Sequence, residues 1–251
     1  MKNLIPLEMH GVTDEGLVRD HNEDSILCIE KSGLAILADG MGGHNAGEVA
    51  SELAVKCVKE AIEEVLAPDV QKSCQMNYVD VVKDAVVFAN DEINQHATEH
   101  PECSGMGTTL VMTLFQADSV ILASVGDSRI YRFRKGELKQ ITKDHSLVQE
   151  MIDNGYMSEE EAFSSTNRNL ITRALGIAVD VNVDVQQESV DKDDIYLLCS
   201  DGLSDMVTDD LIFSILVKSR NDLEQASKNL VKLANDYGGH DNVSVILIAC
   251  K

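Results

Sequence analysis

Seven short apolar runs, rich in β-branched residues and bounded by glycine and aspartate, limit what this chain can become: residues 26–29, 34–38, 108–115, 120–125, 130–133, 195–199 and 243–249. Runs of this length and composition read as strands, and several are apolar enough to require cover on both faces. The runs 120–125 and 130–133 are separated only by Gly126-Asp127-Ser128-Arg129, a loop short enough to predict an antiparallel hairpin. Helical patterns lie between the strands. From Glu48, apolar residues at Val49, Leu53, Ala54, Cys57, Val58, Ile62, Val65 and Leu66 follow the i, i+3, i+4 rule until Pro68. A second helix is predicted from Val79 to about His96. A third is predicted from Asn221, with Glu224 completing a capping box, to about Tyr237 before Gly238-Gly239. Strands arrive in clusters and helices mostly in pairs, so antiparallel sheets covered by helices fit better than βαβ alternation.

The placement of carboxylates carries the chemical information. Asp39 follows the run 34–38 and precedes Gly40; Asp201 follows 195–200 and precedes Gly202. Asp127 follows 120–126, and Asp241 stands just before the run that ends at Ala249. Each could be an ordinary turn residue. Four on core strands can instead meet at one edge of a sheet, where two charges ~4 Å apart repel by ~4 kcal/mol at an effective dielectric of ~20. Either their pKa values rise or a cation sits among them. An all-oxygen donor set favours Mg²⁺ or Mn²⁺ over zinc. Gly40 has no side chain to stop its carbonyl from turning toward such an ion.

Charge and cysteine usage narrow the setting. With 21 Lys+Arg against 43 Asp+Glu the net charge is −22, which argues against nucleic-acid or anionic-membrane partners. No run approaches the ~18 apolar residues of a membrane span, and residues 1–9 lack the hydrophobic stretch of a signal peptide. Six cysteines without a CxxC pair read as reduced core thiols, Cys28, Cys199 and Cys250 lying in apolar runs. A cytoplasmic protein is expected. No linker or repeat divides the chain, so one domain over residues 1–251 is expected.

Two further residues invite a role. Arg19, in Arg19-Asp20-His21-Asn22-Glu23-Asp24, either neutralises its acidic neighbours or grips two oxygens of a phosphoryl group. His44, in the glycine-rich stretch after Asp39, either caps the helix that follows or protonates a leaving oxygen. His145 and His240 read as structural. Other motifs fail on chemistry. Gly42 to Gly47 has P-loop spacing but is followed by Glu48 where phosphate needs Lys, and no contiguous EF-hand loop, GxSxG elbow or HExxH occurs.

Taken in order, Arg19-x-x-Asn22-Glu23-Asp24, Asp39-Gly40-Met41-Gly42-Gly43-His44 with Gly47-Glu48, Gly105-x-Gly107-Thr108-Thr109, Gly126-Asp127-Ser128-Arg129, Asp144-His145, Ser200-Asp201-Gly202 and Asp241-Asn242 form a specific set. From about Gly11 to the C-terminus the sequence resembles the metal-dependent type 2C (PPM) Ser/Thr protein phosphatases in their short, stand-alone bacterial form. The resemblance implies an α+β fold, a four-layer αββα sandwich of two mostly antiparallel sheets flanked by pairs of helices, with a mobile flap at about 146–170. It implies two Mn²⁺ or Mg²⁺ ions. Asp39 would bridge them, Asp201 and Asp241 would complete one, and the Gly40 carbonyl with Glu23 the other, supported by Asp24. Asp127 with Asp201 would hold a third, weaker ion. Arg19 would bind the phosphoryl group and His44 would be the proton donor. The implied reaction is hydrolysis of phosphoserine and phosphothreonine in proteins by in-line attack of a hydroxide bridging the two ions. The implied partners are phosphoproteins, including a cognate Ser/Thr kinase, met by a monomer. The alternative is a catalytically silent relative that binds phosphoproteins. Such a copy would be free to lose metal-ligating residues, yet every matched position is kept. In the flap, Glu159-Glu160-Glu161 raises a preference for phosphosites near basic residues, against a plain solvated helix turn.

Overall fold

The run from Leu34 to Ala38 shows why the chain layers as it does. All five residues are buried, with Leu34, Ile36 and Ala38 facing one core and Ala35 and Leu37 facing another. A strand apolar on both faces needs cover on both, so the sheet that contains it lies in the interior. The computed structural model describes residues 5–42, 46–67, 76–158, 161 and 170–251. Within these, strands β1 (Leu7–Asp14), β11 (Val243–Cys250), β10 (Ile195–Cys199), β7 (Arg129–Arg134) and β8 (Glu137–Gln140) form one sheet in that order. The second runs β2 (Asp24–Ile29), β3 (Leu34–Met41), β5 (Leu110–Phe115), β6 (Ser119–Val125) and β9 (Asp184–Ser189), with the two-residue β4 (Gly107–Thr108) beside the end of β3. Every pairing is antiparallel.

Three separate cores make four layers. Between the sheets, Ala35, Leu37, Val111 and Leu122 meet Ile130, Tyr196, Leu198, Ile246 and Ile248. Each fully buried Leu or Ile there contributes roughly 1.5–3 kcal/mol over exposure. Helices α1 (Ala46–Leu66) and α2 (Tyr78–Glu99) cover the outer face of the second sheet through Ala50, Ala54, Val58, Val86 and Ile93. On the first sheet, α5 (Asp209–Ser219) and α6 (Leu223–Asp236) lie over Leu197, Cys199, Val245 and Leu247. Two short helices, α3 (Leu147–Asp153) and α4 (Asp201–Ser204), and a 3-10 turn at Pro101–Cys103 complete the described elements. No helix among the described residues is long and apolar enough to cross a membrane. Among the described residues five cysteines are free thiols, all buried except the half-buried Cys28.

The sandwich agrees with the expectation; several local readings change. The predicted hairpin across 126–129 does not form. β6 is flanked by β5 and β9 in one sheet, whereas β7 pairs with β10 and β8 in the other. With both edges of β6 occupied, the loop crosses between sheets. It is held by His145, whose Nδ1 accepts from Gly126 N–H (3.0 Å) and whose own N–H donates to the Gly126 carbonyl (2.9 Å). The run 108–115 breaks at Thr109 into β4 and β5. The third helix is capped by Asp222, which accepts from Gln225 N–H at 2.9 Å, and not by Asn221. Residues 159–160 and 162–169, the middle of the expected flap with Glu159 and Glu160 of the acidic triplet, lie outside the described residues; 147–153 form α3.

Gly126 sits at φ +102°, and a Cβ there would lie 2.7 Å from the Thr109 side chain. Gly126→Ala therefore combines a left-handed backbone cost with overpacking, and is expected to lower stability by roughly 2–5 kcal/mol in urea denaturation. A loss below 0.5 kcal/mol would show that the inter-sheet turn is not so constrained.

Candidate active site

Strand ends from both sheets open on one end of the sandwich, and they bring the sequence-predicted residues together. Asp39 and Gly40 sit near the end of β3, with Asp24 opposite Asp39 in the β2–β3 register. Asp201 starts α4 two residues after β10, and Asp241 stands two residues before β11. A cleft of about 290 Å³ is lined by Arg19, Glu23, Asp39, Gly40, Asp201 and Asp241, and also by Met41 and Ile171. Asp127 is not on its wall. It lines a neighbouring cleft of about 440 Å³, together with Arg129, Asp144 and Asp209, and Asp201 is common to both. His44 lies outside the described residues.

Small polar residues fix the carboxylates through the backbone. The Asp39 carbonyl accepts from Thr109 N–H (2.8 Å) and from Thr108 Oγ1 (2.9 Å), and Asp39 N–H donates to Thr109 Oγ1 (3.1 Å). Thr109 Oγ1 in turn lies 2.7 Å from Ser128 Oγ, which ties β3 to the Asp127 turn. Ser200 Oγ donates to Asp24 Oδ2 and accepts from Ser244 N–H, both at 2.9 Å. Asn242 accepts from Glu23 N–H (2.8 Å) and donates to the carbonyls of Glu15 (3.0 Å) and His21 (2.9 Å), sewing the Arg19 loop to the start of β11. Sequence reasoning gave these braces no role, although Thr108 and Thr109 stood in the Gly105–Thr109 motif and Ser128, Ser200 and Asn242 each stood beside an aspartate. Gly40 is also glycine for a packing reason. A Cβ there would lie 2.1 Å from the Gly47 carbonyl, so the first turn of α1 presses directly on β3.

The electrostatics are those of acids forced into protein. Burial, then the charges of Asp24, Asp201, Asp127 and Asp241, raises the Asp39 pKa well above the usual carboxylate range. Burial, then Asp127, Asp205 and Asp241, does the same for Asp201. Asp24, 8% exposed, is pushed up to about 6 by burial even though Ser244 and Ser200 hydrogen-bond its ionised form. Asp127, 6% exposed, is pushed up to about 7 by burial and then by Asp144. Arg19 supplies positive charge at the cleft, its Nη2 donating to Asp241 Oδ2 at 2.7 Å. The structure thus shows Arg19 paired with an acid on the wall of the cleft.

Among the described residues no three His, Cys, Asp or Glu side chains are already drawn into a cation cage. The residues nevertheless fit a hard divalent ion. One oxygen each of Asp24 and Asp127 is buried without a hydrogen-bond partner, and a buried carboxylate oxygen left so is costly. The surrounding donors are oxygens, the set that Mg²⁺ and Mn²⁺ take.

Comparison with known proteins agrees with this geometry. The family model described as protein phosphatase 2C matches residues 18–235. Serine/threonine phosphatase stp of Listeria innocua is 39% identical over 94% of this chain and 93% of its own length. PstP of Mycobacterium tuberculosis is 40% identical over 94% of this chain and 43% of its own length. The crystal structure of the PstP catalytic domain in complex with two manganese ions superposes with a TM-score of 0.86 at 37% identity, covering 98% of this chain and 99% of that one. Stp1 of Staphylococcus aureus gives 0.89 at 35% identity, covering 100% and 98%.

Because Asp24 and Asp127 keep protons to about pH 6 and 7 when folded, against an ordinary 3.8, the folded state binds more protons than the unfolded chain between about pH 4 and 7. Without a cation, stability therefore falls as pH rises through that window. A divalent ion needs the ionised carboxylates and so stabilises most above it. Millimolar manganese is expected to raise Tm more at pH 8 than at pH 5, and less in Asp201→Asn, by calorimetry. An equal rise at both pH values would contradict this.

Proposed function

The chain belongs to the protein phosphatase 2C family and is a metal-dependent serine/threonine protein phosphatase, and we propose that Arg19 and the strand-end acids carry its reaction. The observation that supports this assignment is the convergence of Asp39, Asp201, Asp241 and Glu23, from both sheets, on a cleft that also holds Arg19. When bound, two divalent cations supply Lewis acidity and make an attacking hydroxide available near neutral pH. In our reading Asp39, Asp201 and Asp241, with the Gly40 carbonyl and Glu23, would hold the two ions, and Asp127 with Asp201 would hold a third, weaker one, in keeping with the wall they share.

The remaining work falls to the chain's own groups. Arg19 exchanges Asp241 for the phosphoryl oxygens, orienting the phosphorus for in-line displacement and offsetting charge as it develops. His44, beside the cleft in sequence, protonates the departing serine or threonine oxygen. Asp24 and Ser200 hold the shell behind Asp39 and Asp201. We further propose that residues 1–251 act as one catalytic domain with its flap at about 146–170, as a monomer in the cytoplasm. There it reverses the action of a Ser/Thr kinase on proteins that include the kinase itself. The acidic composition and the free thiols support that setting.

A general acid contributes ~10²–10⁴-fold, which is far less than phosphate-monoester hydrolysis demands, so charge stabilisation supplies most of the acceleration. Asp39→Asn and Asp201→Asn are expected to lose more kcat on a phosphothreonine peptide than His44→Ala, whose loss stays within that range. Equal losses in all three variants, or hydrolysis undiminished by excess chelator, would overturn the assignment.

A further inference from the structure

Immediately before Arg19 the chain displays two large apolar side chains to solvent. Leu17 is 68% exposed and Val18 60%. Isolated exposed apolar residues are ordinary; these differ in being held rigidly beside a catalytic arginine. Leu17 N–H donates to the Gly239 carbonyl (2.8 Å), and Gly16 N–H to Asp14 Oδ1 (3.0 Å), which Asn235 Nδ2 also binds (2.9 Å). The Glu15 carbonyl accepts from Asn242 Nδ2 at 3.0 Å. Gly16, at φ +78°, approaches so closely that a Cβ would lie 2.3 Å from the Asp241 carbonyl. The loop is thus stapled to the segment that carries Asp241, the residue Arg19 binds. Tyr237, two residues before Gly239, is 54% exposed and adds apolar surface at the end of α6.

The Gly16 and Leu17 N–H groups and the Glu15 carbonyl tie the loop down, and Leu17 Cγ rests against Gly239, yet most of the Leu17 and Val18 side-chain surface remains open to solvent. A pre-ordered apolar step costs little entropy to occupy. It also adjoins the cleft in which the phosphorylated residue is bound. Its flanks are acidic, since Glu15 and Asp20 are both exposed, so an acidic side chain there would be repelled.

We propose that Leu17 and Val18 form a specificity step that receives an apolar side chain of the substrate protein, directly beside its phosphorylated serine or threonine. This rests on the reading of Arg19 as the phosphoryl-binding group. The test compares wild type with Leu17→Ser/Val18→Ser on p-nitrophenyl phosphate, on phosphothreonine peptides with leucine neighbours, and on the same peptides with serine or aspartate neighbours. Wild type should prefer leucine over aspartate neighbours in kcat/KM. The variant should lose about tenfold on the leucine peptides, mostly in KM, as expected for one apolar contact. Its rates on p-nitrophenyl phosphate and on the serine peptides should stay within twofold. Equal loss on every substrate would show that the loop only supports the fold. An unchanged leucine preference would show that the step is not used. Retention of full p-nitrophenyl phosphate activity in Arg19→Ala would instead remove the underlying reading of Arg19, whatever the peptides show.

Discussion

The structure depends on one uncomfortable arrangement: several carboxylates held at one end of a β-sandwich, where burial and mutual repulsion both oppose their ionisation. Nothing local to Asp24, Asp39 or Asp201 would bring them there. The core between the sheets does, because Leu37, Tyr196, Leu198 and Ile246 must leave water, and packing them fixes where β3, β10 and β11 end. Hydrophobic burial thereby holds in place an electrostatic cluster that is unfavourable on its own and complementary to divalent cations.

Precision at the cleft comes from residues that do no chemistry. Thr108 and Thr109 hold the backbone of Asp39, Ser200 holds Asp24, and Asn242 joins the Arg19 loop to the strand behind Asp241. His145 anchors the turn at Gly126 that presents Asp127. These contacts link segments far apart in sequence, so the loops around the cleft are tied to one another. A phosphatase that gains most of its rate from charge placement needs that rigidity. Its substrate selectivity can then be written on the exposed rim without disturbing the acids beneath.

Much of this was legible beforehand, and the misses share causes. Strands β3, β10 and β11 announced themselves because both faces are covered and their residues are apolar throughout. β8 and β9 did not: Glu137–Gln140 and Asp184–Ser189 are edge strands with polar, exposed positions, so neither pattern nor propensity marks them. β1 was missed because its alternation, Leu7-Glu8-Met9-His10, is short and breaks at Gly11-Val12. The error over residues 126–129 is of another kind. A four-residue loop between two strand-like runs suits a hairpin, and only occupation of both edges of β6 by β5 and β9 forces the chain into the other sheet.

The sequence by itself determined the composition of the site. Aspartates at the ends of apolar runs, a lone arginine ahead of the first of them, and the order of the motifs follow from covalent order and hydrophobic patterning, which are local properties. Tertiary structure alone decided which acids share a wall. It placed Asp127 in the adjoining cleft with Asp201 as the partition, turned Arg19 onto Asp241, and left Leu17 and Val18 facing outward beside them. Those outcomes depend on the register and stacking of strands more than a hundred residues apart, and such distances are fixed only when the whole core closes.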